Sequence, residues 1–199
     1  HTATLPAMTA VMTGTTHSQF LHNFRIAAGQ ATGSHLGPPW NDGDCYKWLE
    51  ALAAVYAVTR DPALDREMDA AVAVIAAAQR ADGYLHTPVL IKAHNGDTDA
   101  RPFQDRLDFE AYNLGHLMTA ACVHHRATGK AGLLDIARKT ADFLCAALRD
   151  ATPRLARFAI CPSHYMGVVE VYRATREPRY LELARKLLAL RDRVEGGTD

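Results

Sequence analysis

The sequence predicts an all-α fold built from αα-hairpins, and three observations carry that prediction. Six segments repeat their apolar residues at helical spacing. Three short turns of similar composition join these segments in pairs: Val58-Thr59-Arg60-Asp61-Pro62, Ala127-Thr128-Gly129-Lys130 and Ala174-Thr175-Arg176-Glu177-Pro178. Longer connections rich in Gly, Pro and Asp separate one pair from the next, as short-turn hairpins require.

Taken in order, residues 1–18 are rich in Thr, Ala and Met without a clear period, and read as a loose N-terminal arm. Residues 18–30 predict one short helix ending near Gly29, and residues 31–43 form an opening loop. The first long helix runs from about Asp44 to Arg60, with Leu49, Leu52, Val55 and Tyr56 on one face. Asp61-Pro62 breaks it. The second, from about Ala63 to Arg80, spaces Met68, Val72 and Ile75 helically and stops before Asp82-Gly83. Residues 81–107 read as a long loop. The third helix spans about Asp108 to Thr128. The fourth, about Ala131 to Asp150, is strongly periodic through Leu133, Ile136, Ala137, Thr140, Phe143, Leu144 and Ala147. A loop over 151–161 leads to the fifth, about Pro162 to Thr175, and the sixth spans about Arg179 to Val194. Thr59, Thr128 and Thr175 mark corresponding places 69 and 47 residues apart. That irregularity argues against a solenoid of roughly 34-residue repeats. It suits a toroid whose long loops crowd one rim.

A chain of 199 residues supplies one good core. With 48% hydrophobic and 22% charged residues and a formal net charge of zero, nothing points to nucleic acid or an anionic membrane as a partner. No apolar run reaches transmembrane length, and the N-terminus lacks the regions of a signal peptide. A cytoplasmic or periplasmic location is therefore expected, although the chain starts at His1 and its native start is open. Oligomeric state is left open. Cys45, Cys122, Cys145 and Cys161 contain no Cys-x-x-Cys pair and read as reduced core hydrophobes.

If the hairpins form a ring, every odd helix begins on the same rim. The first start, 37–51, is a Pro-Pro and Asn-Asp-Gly loop delivering Trp40, Asp42, Asp44, Tyr46 and Trp48 to a helix N-terminus. The second brings His86, Asp108, Glu110, Tyr112, Asn113 and His116, and the third Ser163, His164 and Tyr165. Aromatic, histidine and carboxylate groups around one mouth resemble a carbohydrate site, because sugars need flat apolar faces and many short hydrogen-bonding groups. Bland readings stand beside these. Asp44 makes a good N-cap. Trp48 suits the core, and His116 and His164 suit structural histidines. His124 and His125 read as structural or surface residues, and Glu170 as a buried brace. Glu110 is the best acid candidate, but no second carboxylate clearly pairs with it as a conventional glycosidase requires.

Asn41-Asp42-Gly43-Asp44-Cys45-Tyr46-Lys47-Trp48-Leu49-Glu50-Ala51 resembles a motif near the start of glycoside hydrolase family 127, the β-L-arabinofuranosidase-like proteins. Gln79-Arg80-Ala81-Asp82-Gly83-Tyr84-Leu85-His86-Thr87-Pro88, Glu110-Ala111-Tyr112-Asn113-Leu114-Gly115-His116-Leu117, and Cys161-Pro162-Ser163-His164-Tyr165-Met166-Gly167 with Glu170-Val171-Tyr172-Arg173 follow in the family's order. The resemblance covers residues 19–199. It implies αα-hairpins forming roughly half of an (α/α)6 barrel, truncated at its C-terminal end, in a retaining hydrolase of β-L-arabinofuranosides or related plant cell-wall sugars. It also implies a zinc-held cysteine nucleophile and a separate Glu acid/base, both expected outside this chain. None of the four cysteines is assigned as nucleophile or zinc ligand, and these residues alone are expected to be inactive. Asp44, His86, Glu110, His116 and His164 are the substrate-binding candidates the resemblance carries over. Phe109 departs from the family's usual His before the Glu and leaves the exact sugar open. The alternatives are a non-catalytic helical-hairpin module that binds carbohydrate or a partner, and an α/α-toroid sugar epimerase.

Overall fold

A computed structural model describes residues 3–149, 156 and 161–194. Among these the chain forms nine α-helices and no strand: α1 (Thr4–Thr13), α2 (Phe20–Ala27), α3 (Asn41–Thr59), α4 (Pro62–Ala78), α5 (Thr87–His94), α6 (Glu110–Thr128), α7 (Gly132–Ala147), α8 (Ser163–Thr175) and α9 (Pro178–Arg191), with a 3-10 turn at Arg106–Asp108. The expected loop at 151–161 lies almost wholly outside the described residues.

The six predicted long helices are α3, α4, α6, α7, α8 and α9, paired as the turns require. Helices α3, α6 and α8 pack side by side in one layer, with α6 in the middle. Helices α4, α7 and α9 pack behind them, each against its hairpin partner. Leu49, Leu52, Met68, Ile75, Leu114, Leu117, Leu133, Ile136 and Tyr180 fill the space between the layers. The periodic residues of the fourth predicted helix, Leu133, Ile136, Ala137, Thr140 and Leu144, are all buried on α7.

The three turns use one device. Thr59, Thr128 and Thr175 each donate Oγ1 to the carbonyl four residues back, at 3.0, 2.8 and 2.8 Å. Each also accepts the backbone N–H two residues ahead, at 3.3, 3.1 and 3.3 Å. The intervening Arg60, Gly129 and Arg176 all turn left-handed, ending the helix in the usual C-terminal manner.

Three expectations give way. Where a loose arm is expected, Thr4–Thr13 form α1, which buries Leu5 and receives a 3.0 Å hydrogen bond from Trp48 Nε1 at Thr9 Oγ1. Trp48 is thereby a core residue. The long loop after Gly83 contains α5, started by Pro88 in its first turn, where a missing N–H costs nothing. Helix α3 begins at Asn41 behind an uncapped Trp40, so Asp44 sits inside the first turn and is not the N-cap.

Two glycines bring the helix starts together. A Cβ on Gly115 of α6 would lie 2.3 Å from the Ser163 carbonyl carbon, and one on Gly167 of α8 would lie 2.5 Å from Gly115 O. Only a hydrogen fits at either place, and the backbones of α6 and α8 touch there.

Candidate functional site

The starts of α3, α6 and α8 do meet on one rim. Asn113 binds the first two together: its Oδ1 accepts from Gly43 N at 2.8 Å and its Nδ2 donates to Pro39 O at 2.9 Å. Ser163 Oγ donates to Tyr112 O at 3.2 Å and joins the third.

The predicted residues divide into a half-buried pair and three buried groups. Asp44 and His116 form the half-buried pair. Asp44 lies 3.1 Å from Lys47 Nζ, and that ammonium also bonds to Tyr112 Oη. His116 stands edge-on to the Tyr112 ring at 4.5 Å. Partial burial, with the Lys47 charge, pushes His116 down to about 4, so its imidazole is neutral near pH 7. The ladder continues outward through Phe109, 5.9 Å from Tyr112, to Trp40, 5.0 Å from Phe109 and 40% exposed. Phe109 holds a φ of 59°, an uncommon conformation for a bulky residue and one concentrated at functional sites.

His86 is fully buried beneath this surface. Gly43 N can only donate and Pro39 O can only accept, so the Asn113 amide has one orientation. Its Nδ2 then donates to His86 Nδ1 at 3.2 Å, placing the ring proton on Nε2. That Nε2 is buried without a protein partner among the described residues. Burial, with the charges of His35 and Lys92, lowers His86 to about 3. Asp42 accepts from Thr87 N at 2.7 Å and from Thr87 Oγ1 at 2.6 Å. Burial nevertheless raises its carboxyl to about 7.

Glu110 is also enclosed. It accepts from Tyr84 Oη and, at 2.6 Å, from Phe103 N. Burial raises it to about 7 against the pull of those two bonds. His164 lines an apolar cavity of about 30 Å³ with Phe103, Leu144 and Leu187. Burial lowers it to about 4, and its Nδ1 has no partner among the described residues.

The bland readings hold elsewhere. His124 is buried, and His125 Nδ1 lies 3.0 Å from Lys130 O at a helix end. Glu170 is only partly buried, and links Arg126 of α6 to Arg173 of α8 at 2.7 Å each. The four cysteines are free. No three His, Cys, Asp or Glu side chains gather as a metal would require among the described residues, so the zinc implied by the resemblance finds no ligand set there.

Sequence reasoning underrated Asp42, Asn113, Thr87 and Tyr84. Thr87-Pro88 was the available signal: read as a helix start, it brings His86 and Thr87 to the head of α5.

Paired helical layers with the inner helix starts gathered on one rim define a helical-hairpin fold of the α/α-barrel type. Residues 1–195 match the β-L-arabinofuranosidase, GH127 catalytic domain family, and the chain belongs to that family. It is 34% identical over 174 residues to a non-reducing end β-L-arabinofuranosidase of Bifidobacterium longum subsp. longum, covering 87% of this chain and 26% of that protein. A crystal structure of a GH127 β-L-arabinofuranosidase from Geobacillus stearothermophilus T6 superposes with a TM-score of 0.82 at 28% identity, over 98% of this chain and 31% of that one. A structure described as a glycoside hydrolase is 51% identical with a TM-score of 0.64, over 89% of this chain and 26% of that one. The chain thus spans about a quarter to a third of the relatives it matches. The fold and family agree with the glycoside hydrolase reading of the sequence.

Proposed function

We propose that this chain forms one wall of the sugar site of a retaining glycoside hydrolase acting on β-L-arabinofuranosides. The observation that carries the reading is the ladder running from exposed Trp40 through half-buried Phe109, Tyr112 and His116 beside the Asp44–Lys47 pair. It offers an apolar face for a sugar ring, and donors and acceptors for its hydroxyls. Asp44 and His116 touch the sugar directly. His86, Glu110 and His164 hold the wall from beneath, and the unpartnered Nε2–H of His86 is the buried donor nearest to being recruited. The hydrolase's nucleophile and acid/base are not assigned to any residue of this chain. Any zinc serving that chemistry takes its ligands from elsewhere than the residues described here.

Titration calorimetry with methyl β-L-arabinofuranoside tests the wall. Removing one sugar contact, in His116→Ala or Asp44→Ala, is expected to weaken binding about tenfold. Unchanged affinity in both variants overturns the assignment.

A further inference from the structure

Asn113 is fully buried, so its amide cannot reach a sugar. Its bonds nevertheless lead to the ladder. Its backbone N–H donates to Phe109 O at 3.0 Å. Its Oδ1 accepts from Gly43 N at 2.8 Å, one residue before Asp44. Its Nδ2 donates to Pro39 O at 2.9 Å, one residue before Trp40. The second Nδ2 hydrogen meets His86 Nδ1 at 3.2 Å. Tyr112, the ring between Phe109 and His116, precedes it in the chain. One amide thereby joins the segments that carry Trp40, Asp44 and Tyr112.

The tie is tight. A Cβ at position 43 would lie 2.6 Å from Tyr112 Cε1 and 2.8 Å from Asn113 Oδ1, so α3 presses on the start of α6 with no side chain between them. The same approach brings Lys47, one turn further along α3, to Tyr112 Oη. The chemistry requires an amide. Gly43 N only donates and Pro39 O only accepts, so the position needs an acceptor and a donor side by side on one planar group. Ionised aspartate has the same shape and offers acceptors alone. Ligand-binding groups must be held to within about 0.5 Å of their working geometry, and buried, fully bonded supports are what hold them.

We infer that Asn113 is a positioning residue of the sugar wall, setting the spacing of Trp40, Asp44 and Tyr112 and the proton position on His86 without touching the ligand. The inference rests on the carbohydrate reading above. Asn113→Asp keeps the shape and tests it. When ionised, the introduced carboxylate repels Pro39 O and draws the His86 ring proton to Nδ1. When protonated, it donates to Pro39 O and accepts from Gly43 N as the amide does, and burial keeps it protonated well above the usual carboxylate range. Asp42 and His86 face the same place, with Asp44 and Lys47 beyond them, so each affinity is taken relative to the unmodified protein at the same pH.

In calorimetric titration with methyl β-L-arabinofuranoside, Asn113→Asp is expected to bind about tenfold more weakly at pH 8 and within about twofold of the unmodified protein at pH 5. NMR of the His86 ring nitrogens is expected to show Nε2–H in the unmodified protein and Nδ1–H in the variant at pH 8, a change that loss of stability alone does not produce. If the variant disturbs folding, the spectrum of the unmodified protein carries the test. Nδ1–H there, unchanged affinity in the variant at pH 8, or equally weak binding at both pH values overturns the inference and leaves the ladder assignment standing. Failure of the unmodified protein to bind the sugar overturns the ladder assignment itself, and with it the role of Asn113 in binding.

Discussion

The two ends of the hairpins are built on opposite plans. At the turn end, Thr59, Thr128 and Thr175 repeat one local arrangement, with every bond made within six residues of sequence. At the starting end no two helices are alike, and the bonds run across tens of residues: Asn113 to Gly43, Thr87 to Asp42, Tyr84 to Glu110. Buried atoms of His35, Tyr46, His86 and His164 without partners among the described residues, and the left-handed Phe103 and Phe109, lie at that second end, while His124 is the unpartnered histidine of the turn end. One end closes hairpins, and repetition serves it. The other must present different groups to a ligand, and it does so at a cost in desolvation and backbone strain that the packed layers offset.

The sharpest way to break the starting end is where the backbones of α6 and α8 touch. Gly115→Val drives side-chain carbons into the backbone of Ser163 and His164, with no flexible neighbour to yield. A destabilisation of about 3 kcal/mol or more is expected in denaturant unfolding, with α8 displaced from the rim. A loss below about 1 kcal/mol means that the two backbones do not meet as described.

The buried ionisable groups predict a pH profile. His86 and His164, held near 3 and 4, favour folding while neutral, so their contribution is full above about 6.5 and is lost as pH falls towards those values. Asp42 and Glu110, raised to about 7, work the other way: their contribution is full near pH 4 and is lost as pH rises to 7. His35 and His116, also held near 4, join the first set, so the histidines outweigh the two carboxyls between pH 5 and 6.5 and the two sets come into balance near pH 7. Thermal stability is therefore expected to rise from pH 5 and to level off near pH 7. Asp42→Asn mimics the protonated carboxyl, so its stability relative to the unmodified protein is expected to grow by about 2.5 kcal/mol between pH 5 and pH 8. Parallel unfolding curves for the two proteins at pH 5 and 8 rule out a raised Asp42.

This asymmetry also decides what could be read from the sequence. Six helices and their pairing were legible because their signals are local: the Leu133–Leu144 period and the Thr-containing turns. The shared rim followed from that pairing. Helix α5 was missed because its eight residues follow closely on the Asp82-Gly83 turn, and α1 because its apolar pattern is weak and its order comes from Leu5 and Thr9 meeting α3. The candidate site was legible as a set of residues but not as an arrangement. Nothing near position 116 says that His116 is half-buried on the rim while His164 lines an apolar cavity, since α7 and α9 decide that. The tautomer of His86 depends on an amide 27 residues away.

The turn end gives smaller effects, and their equality is the point. Thr128→Ala removes one donated and one accepted bond, and is expected to cost about 1 kcal/mol in urea unfolding. Thr59→Ala and Thr175→Ala are expected to cost the same within about 0.5 kcal/mol, because their geometry is the same and they lie far apart. Widely different costs contradict a repeated device.

The smallest effect has the opposite sign. Of the three left-handed residues that end α3, α6 and α8, only Gly129 adopts that conformation freely, while Arg60 and Arg176 bear a Cβ there. Arg60 is compensated, since its Nη1 donates to Ala127 O at 2.7 Å and its guanidinium stands 5.4 Å from the Tyr56 ring centroid. Exposed Arg176 uses its own N–H to close α8 on Tyr172 O, a bond that glycine keeps. Arg176→Gly relieves the strain and gives back part of that gain through a freer unfolded chain, leaving a net stabilisation of about 0.5 kcal/mol. The same change at Arg60 forfeits a hydrogen bond and is expected to destabilise by about 1 kcal/mol. Opposite signs at two positions of identical backbone shape, read as shifts in urea midpoint, separate the strain of the turn from the side chain's contacts. A loss of stability in Arg176→Gly means that the left-handed cap carries no strain for glycine to relieve.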